Sequence, residues 1–227
     1  MYKKYFKRIF DIVSSGIALI VLSPVLLYIA YLVKTKLGSP ILFTQIRPGK
    51  GCNLFKMYKF RTMTDAKDEK GNLLSDNVRL TSFGKKLRST SLDELPEIIN
   101  ILKGDMSVVG PRPQLVKDMM FFTDEEMKRQ SVYPGLTGLA QINGRNNITW
   151  KEKFAFDLEY IKNINFLEDI RIIYRTVFKV TDKEDISTKG METAEDYGDW
   201  LLRNNLIQQN EYDYKMKSSQ QRIENFR

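Results

Sequence analysis

The sequence contains no histidine and a single cysteine, Cys52. The first absence removes Ser-His-Asp and Cys-His catalysis, histidine general bases and histidine-ligated zinc. The second removes an internal disulfide, a zinc ribbon and an iron–sulfur cluster. Any metal must therefore be a hard cation held by oxygen, and any nucleophile a carboxylate, hydroxyl or amine. A lone thiol suits a cytosol-facing protein. There is also no glycine-rich phosphate loop of the Walker or dinucleotide type, no internal repeat and no low-complexity tract.

What is present suits one domain with an appendage: 227 residues, 42% of them apolar and 28% charged. The net charge of +8 is unevenly spread. Lys3, Lys4, Lys7 and Arg8 crowd the first eleven residues against Asp11, and seven basic residues with no acid run from Lys34 to Arg61. Residues 182–199 reverse the sign, with seven acids against Lys183 and Lys189. Nucleic acid, anionic lipid and a phosphorylated substrate are the partners that such charge admits.

Between the two basic clusters, Ile12 to Val33 form an uncharged run of 22 residues. A straight helix of that length measures roughly 33 Å, about one hydrocarbon core. A signal peptide is disfavoured because no small-residue cleavage site follows. A spanning helix satisfies the length, but both flanks are basic, and spanning would put one of them outside. Pro24 also stands at the centre and cannot donate to the carbonyl of Ile20, while the Ser23 hydroxyl is available to satisfy freed backbone groups. The reading favoured is a re-entrant hairpin broken at Ser23-Pro24. Both basic ends then meet one anionic surface, each charge contributing on the order of 1 kcal/mol.

Beyond it, Ile41–Ile46 and Leu54–Phe60 predict two strands joined through the turn-rich Arg47-Pro48-Gly49-Lys50-Gly51. Helices are expected at Phe83–Arg88, Ser91–Lys103 (stopped by Gly104), Leu115–Gln130, from Thr149, Phe166–Val180 and Ala194–Leu206. Thr149 with Glu152 makes a capping box, and Trp150, Phe154, Leu158 and Ile161 an apolar stripe read as core. Val108–Pro113 cannot be helical, Pro134–Gly138 reads as a loop, Leu139–Ile142 as a short strand, and the polar tail from Gln208 as frayed or disordered.

Asp93-Glu94, in Ser91-Leu92-Asp93-Glu94-Leu95-Pro96, is the acidic pair of interest. One reading is structural: Ser91 caps a helix, Glu94 completes the capping box, and Asp93 suits the helix dipole. The other is chemical: one carboxylate attacks phosphorus while its neighbour holds a divalent cation. The two are compatible. Lys59, Arg61, Arg88, Arg112 between two prolines and Arg145 after Gly144 are candidates for phosphate recognition. Any of them alone reads first as a solvated surface charge, and Asp157 beside an apolar stripe is equally ordinary.

The ordered set Ser23-Pro24, Lys59-Phe60-Arg61-Thr62-Met63, Ser91–Pro96, Lys103–Ser107, Gly110–Pro113, Pro134–Gly138 and Gly144-Arg145 closely resembles the bacterial sugar transferases known as monotopic phosphoglycosyl transferases, over residues 3–181. It looks like the minimal form, with one membrane hairpin and no multi-span amino-terminal region. It is most similar to the bacillosamine-type transferases of N-linked glycosylation. The resemblance implies transfer of a phospho-sugar from a UDP-sugar to polyprenol (undecaprenyl) phosphate, with release of UMP. It implies that Asp93 is the nucleophile, forming an aspartyl-phosphosugar, and that Glu94, with Asp93, binds Mg2+. Lys59, Arg61, Thr62, Arg88, Arg112, Arg145 and Asp157 would contact substrate.

The expected architecture is α+β and mostly helical. It comprises a re-entrant membrane hairpin (1–38), a small catalytic domain with a short β-hairpin (39–181), and a helical extension with a polar tail (182–227). The resemblance implies residence at the bacterial inner membrane with the catalytic domain on the cytoplasmic face. Anionic lipids and downstream glycosyltransferases are the expected partners, and nucleic acid is not. Two alternatives stand beside this: a glucose or galactose phosphate transferase of capsule synthesis, and a non-catalytic membrane tether.

Overall fold

The computed structural model describes residues 1–144, 148–181 and 195–226. The chain is mostly helical with two small sheets. A π-helical turn, Tyr2–Phe6, leads into α1 (Lys7–Leu37), an apolar helix long enough to cross a membrane by length and composition. β1 (Leu42–Pro48) and β2 (Leu54–Phe60) follow, then α2 (Asp76–Arg79), α3 (Ser82–Ser89) and a 3-10 turn at Leu92–Glu94. Next come α4 (Glu97–Lys103), β3 (Ser107–Val109), α5 (Val116–Met119), α6 (Asp124–Met127), β4 (Gly135–Thr137) and α7 (Leu139–Ile142). α8 (Trp150–Lys162), α9 (Phe166–Thr181), α10 (Tyr197–Arg203) and α11 (Gln209–Glu224) complete it.

β1 and β2 pair antiparallel from Leu42 opposite Phe60 to Pro48 opposite Leu54. Strand alternation puts Phe55 and Met57 on one face, where they pack with Ile101 of α4 and Met106, and carries Lys59 onto that same face. Asn100 of α4 stitches the outer edge of β2. It accepts from Tyr58 N–H at 3.0 Å and donates to the Lys56 carbonyl at 2.7 Å. β3 and β4 pair parallel, Ser107 with Gly135 and Val109 with Thr137. Their crossing is tight: a Cβ on Gly135 would stand 2.1 Å from the Gly110 nitrogen.

The break expected at Ser23-Pro24 is not present: α1 is one helix through Pro24, because the Ser23 hydroxyl donates to the Ile20 carbonyl at 2.8 Å and replaces the bond that proline cannot make. Its two ends dock on the rest of the chain by different means. Near the start, Arg8 donates to the carbonyls of Ile101 and Met106 (2.7 and 3.1 Å), capping the end of α4. Asp11 accepts from Ser107 Oγ and Val108 N–H, and Lys7 pairs with Asp169 of α9 at 2.7 Å. Near the end, Ile29, Val33 and Leu37 bury against Phe60 and Leu87. Between the docked ends, Ile17, Ile20, Val21, Leu27 and Tyr28 stand more than half exposed. α9 likewise exposes Leu167, Tyr174 and Val177 by more than half, with Phe166 and Ile170 partly exposed beside them.

Several local expectations are corrected. Leu139–Ile142 is a helical turn, since Ile142 N–H reaches back to the Gly138 carbonyl. The region Leu115–Gln130 is broken into α5, α6 and a 3-10 turn, because Thr123 caps a new helix with Glu126. Residues from Gln208 do not fray. α11 lays Tyr212 and Met216 on the aromatic cluster of Phe121, Trp150, Phe154 and Tyr197, and Arg222 donates to the Cys52 carbonyl. The capping box at Thr149 is present, with Glu152 accepting from Thr149 N–H at 2.8 Å.

Candidate active site

Asp93 and Glu94 sit on the 3-10 turn before α4, not on its first helical turn. Ser91 takes a left-handed backbone (φ 53°) and its side chain does not cap, so the expected Ser91–Glu94 capping box is absent. Pro96 separates the turn from the helix. In a 3-10 turn neighbouring side chains diverge by about 120°. Glu94 thus turns to the cations while Asp93 keeps its own orientation.

Lys59 Nζ lies 2.7 Å from Glu94 Oε1 and 3.3 Å from Glu97 Oε1. Arg112 Nη2 reaches the same Glu94 oxygen at 2.6 Å, whereas Glu94 Oε2 has only a 3.5 Å contact with Nη1. Arg88, at the end of α3, donates from Nε to Thr62 Oγ1 at 3.1 Å. That approach requires Gly84, where a Cβ would stand 1.9 Å from the Thr62 carbonyl oxygen. Lys59, Thr62, Arg88, Asp93, Glu94 and Arg112 line a cleft of about 1100 Å3 that also takes in Asp157, Gln141 and Lys153. Asp93 is 8% exposed, and its carboxylate accepts no hydrogen bond from the described residues.

Burial, then the neighbouring Glu94, pushes Asp93 up to about 6, against the pull of Lys59, Arg88 and Arg112. Burial presses Glu94 the same way, but Arg112 and Lys59 overcome it and hold its carboxyl well below the usual range. Glu97, at 2% exposure, is pushed up to about 7 by burial, opposed by Lys59. The pair therefore divides its work. Glu94 is permanently ionised and committed to cations, while Asp93 ionises just below neutrality and keeps its lone pairs open.

The other sequence candidates differ in what they contact. Arg61 lines the cleft but spends its guanidinium on the Met63 and Ser39 carbonyls (2.8 and 2.7 Å) and on Asp65. Asp157 pairs with Arg129 at 2.6 Å through Oδ2, while Oδ1 is buried without a partner. Arg145 lies outside the described residues. Glu97, Gln141 and Arg129 were not anticipated. Arg129 and Glu97 stand in segments that read as plain amphipathic helix. Gln141, whose amide is buried without a partner, fell in a presumed strand.

The site has only oxygen donors to offer a metal. Asp93 offers its carboxylate, Glu94 an Oε2 with only the long Arg112 contact, and Asp157 a partnerless Oδ1; no cluster of three ligating side chains occurs among the described residues. That set fits Mg2+, which binds through one or two carboxylates together with substrate phosphates.

A family model for bacterial sugar transferases matches residues 2–183. The chain is 47% identical over 189 residues to the protein named uncharacterized sugar transferase EpsL of Bacillus subtilis, covering 83% of this chain and 94% of that one. It is 44% identical over 184 residues to the UDP-glucose:undecaprenyl-phosphate glucose-1-phosphate transferase of Klebsiella pneumoniae, and 38% identical over 190 residues to the undecaprenyl-phosphate galactose phosphotransferase of Salmonella typhimurium. Those two alignments take in 77% and 76% of this chain but only 40% of each relative. The motifs, the cleft they build and these likenesses agree: the chain belongs to the bacterial sugar transferase family.

Proposed function

We propose that this chain is a phosphoglycosyl transferase that moves a phospho-sugar from a UDP-sugar to polyprenol phosphate at a membrane surface. One observation carries the reading: an open, buried Asp93 carboxylate beside Lys59, Arg88 and Arg112 in a cleft large enough for a nucleotide sugar. An Asp93 oxygen attacks the β-phosphorus, and the bond to the bridging oxygen breaks, releasing UMP. An oxygen of the polyprenol phosphate then attacks the aspartyl phosphorus and returns Asp93 to a carboxylate, giving a polyprenyl diphosphosugar. Neither attack needs a histidine, because both nucleophiles are anionic at neutral pH. Arg88, Arg112 and Lys59 offset the diphosphate charge, and Asp157 offers an acceptor to a donor hydroxyl. Mg2+, held by Asp93 and Glu94 when bound with the diphosphate, would add charge neutralisation.

The same reading sets α1 as a re-entrant membrane segment with the cleft at the headgroups. Its two ends dock on one body and both are basic, which supports insertion from one side. The uncovered apolar face of α9 supports contact with the same surface. For Pro24→Ala, a cysteine at residue 2 in a Cys52→Ser background should become reachable from outside, because a full set of backbone bonds at that turn favours spanning over re-entry. Unchanged protection would count against a proline-set hairpin.

Relatives named for glucose and galactose favour a plain hexose donor over an N-acetylated deoxy sugar as the second reading. The deciding experiment is UMP release by purified protein with Mg2+, undecaprenyl phosphate and a panel of UDP-sugars. Release that Asp93→Asn abolishes supports the transfer and names the donor. A wild-type protein that neither releases UMP nor acquires label from a β-32P UDP-sugar removes it.

A further inference from the structure

The loop that carries Arg112 is short of donors, because Pro111 and Pro113 have no N–H. Its three successive carbonyls are instead each held from outside. Gly135 N–H donates to Pro111 at 2.9 Å, Arg129 Nη2 to Arg112 at 2.7 Å, and Arg47 Nη1 to Pro113 at 3.1 Å. Arg129 is the more enclosed of the two arginines, 3% exposed, with the rings of Phe122 and Phe154 at 5.3 and 5.6 Å. Its Nε and Nη2 both converge on Asp157 Oδ2, at 3.1 and 2.6 Å, which is why Asp157 Oδ1 is left over. Arg129 itself does not line the cleft, whereas Arg112 and Asp157 do.

We infer that Arg129 is a positioning residue: one guanidinium fixes both the Arg112 loop, hence the fork on Glu94, and the open oxygen of Asp157. The inference rests on the phosphoglycosyl transfer reading for its kinetic consequence but not for its structural one. A lysine would keep the charge beside Asp157 and lose the planar fork that reaches two acceptors at once. Arg129→Lys is therefore the informative variant, with Arg129→Gln as its harsher companion.

The test is a double-mutant cycle with Arg112→Gln, read as kcat and KM for the UDP-sugar, alongside amide hydrogen exchange at Arg112 and Gln114. Arg129→Lys should lower kcat/KM roughly 10- to 100-fold through misplacement of Arg112, with unfolding temperature near wild type. On the Arg112→Gln background the same change should cost less than about threefold, because residues acting through one another are not additive. Exchange at Arg112 and Gln114 should quicken. Full additivity, or wild-type kinetics and exchange in Arg129→Lys, overturns the inference. A wild-type protein without UMP release, in which Arg129→Lys still quickens exchange, sinks the transferase reading while leaving the positioning role standing.

Discussion

Two buried aspartates, Asp169 and Asp93, both lie close to cationic side chains, yet they are built for opposite ends. Asp169 is fully enclosed and every oxygen is engaged: Oδ1 accepts from Tyr160, and Oδ2 from Tyr2 and Lys7, all at 2.7 Å. Asp93 is nearly as enclosed and accepts no hydrogen bond from the described residues. Burying a carboxylate costs free energy unless its lone pairs are satisfied. The first aspartate is a joint between the apolar helix and α9. The second accepts no hydrogen bond among the described residues, which is what the proposed attack on phosphorus requires.

Exchange of each residue separates the two designs. Asp93→Asn should cost roughly 10^4-fold or more in turnover, as loss of a nucleophile does. The folded state holds the Asp93 proton more tightly than the unfolded chain. Ionising it therefore destabilises the fold as pH rises from about 4 to about 6, by on the order of 2 kcal/mol, a penalty the amide escapes. Thermal unfolding at pH 7.5 should show the variant at least as stable as wild type; an unfolded variant would erase the contrast. Asp169→Ala should do the reverse. It should cost about 3–5 kcal/mol in chemical denaturation, because Lys7 is left buried without its partner. The fraction that folds should still acquire label at Asp93.

A subtler test concerns the division of labour within the acidic pair. Labelling of Asp93 should fall away below about pH 6, where its carboxyl becomes protonated. Glu94→Gln removes a negative neighbour and frees Lys59 and Arg112 to act on Asp93, so this acid limb should move to lower pH. A limb that stays put would mean that Glu94 does not tune its neighbour. The smallest effect is expected from Thr62→Val, which strips the acceptor from Arg88 Nε. A loss of about 1 kcal/mol in donor binding, read as a few-fold rise in KM, should follow.

How much of this was legible depended on whether the cause was local. β2 is found where alternation predicts it, and Thr149 caps α8 because Glu152 is three residues away. Asp93, Glu94, Lys59, Arg88 and Arg112 do line one cleft, as the ordered motifs implied. What escaped was set by distant partners. α11 reads as polar throughout and is ordered by laying Tyr212 and Met216 on an aromatic cluster assembled from α8 and α10. Ser91 looked like a cap, but the backbone turns left-handed there and the helix is capped five residues later, at Pro96. Arg61 carried the same chemical label as Arg112, yet it ties down backbone at Ser39 and Met63. Nothing in a one-dimensional pattern distinguishes an arginine that braces a loop from one that awaits a phosphate.

The amide of Asn100 on the edge of β2 has a consequence for how this chain can change over generations. Side chains alternate along a strand, so slipping β2 by one residue would turn Lys59 away from Glu94. Asn100 holds that register from outside the hairpin, while the Arg47–Asn53 connection holds it from within. Surface turns usually tolerate inserted residues freely. In this one, an inserted residue pulls against the register that sets Lys59 on Glu94, so it should cost more than a substitution that keeps the count.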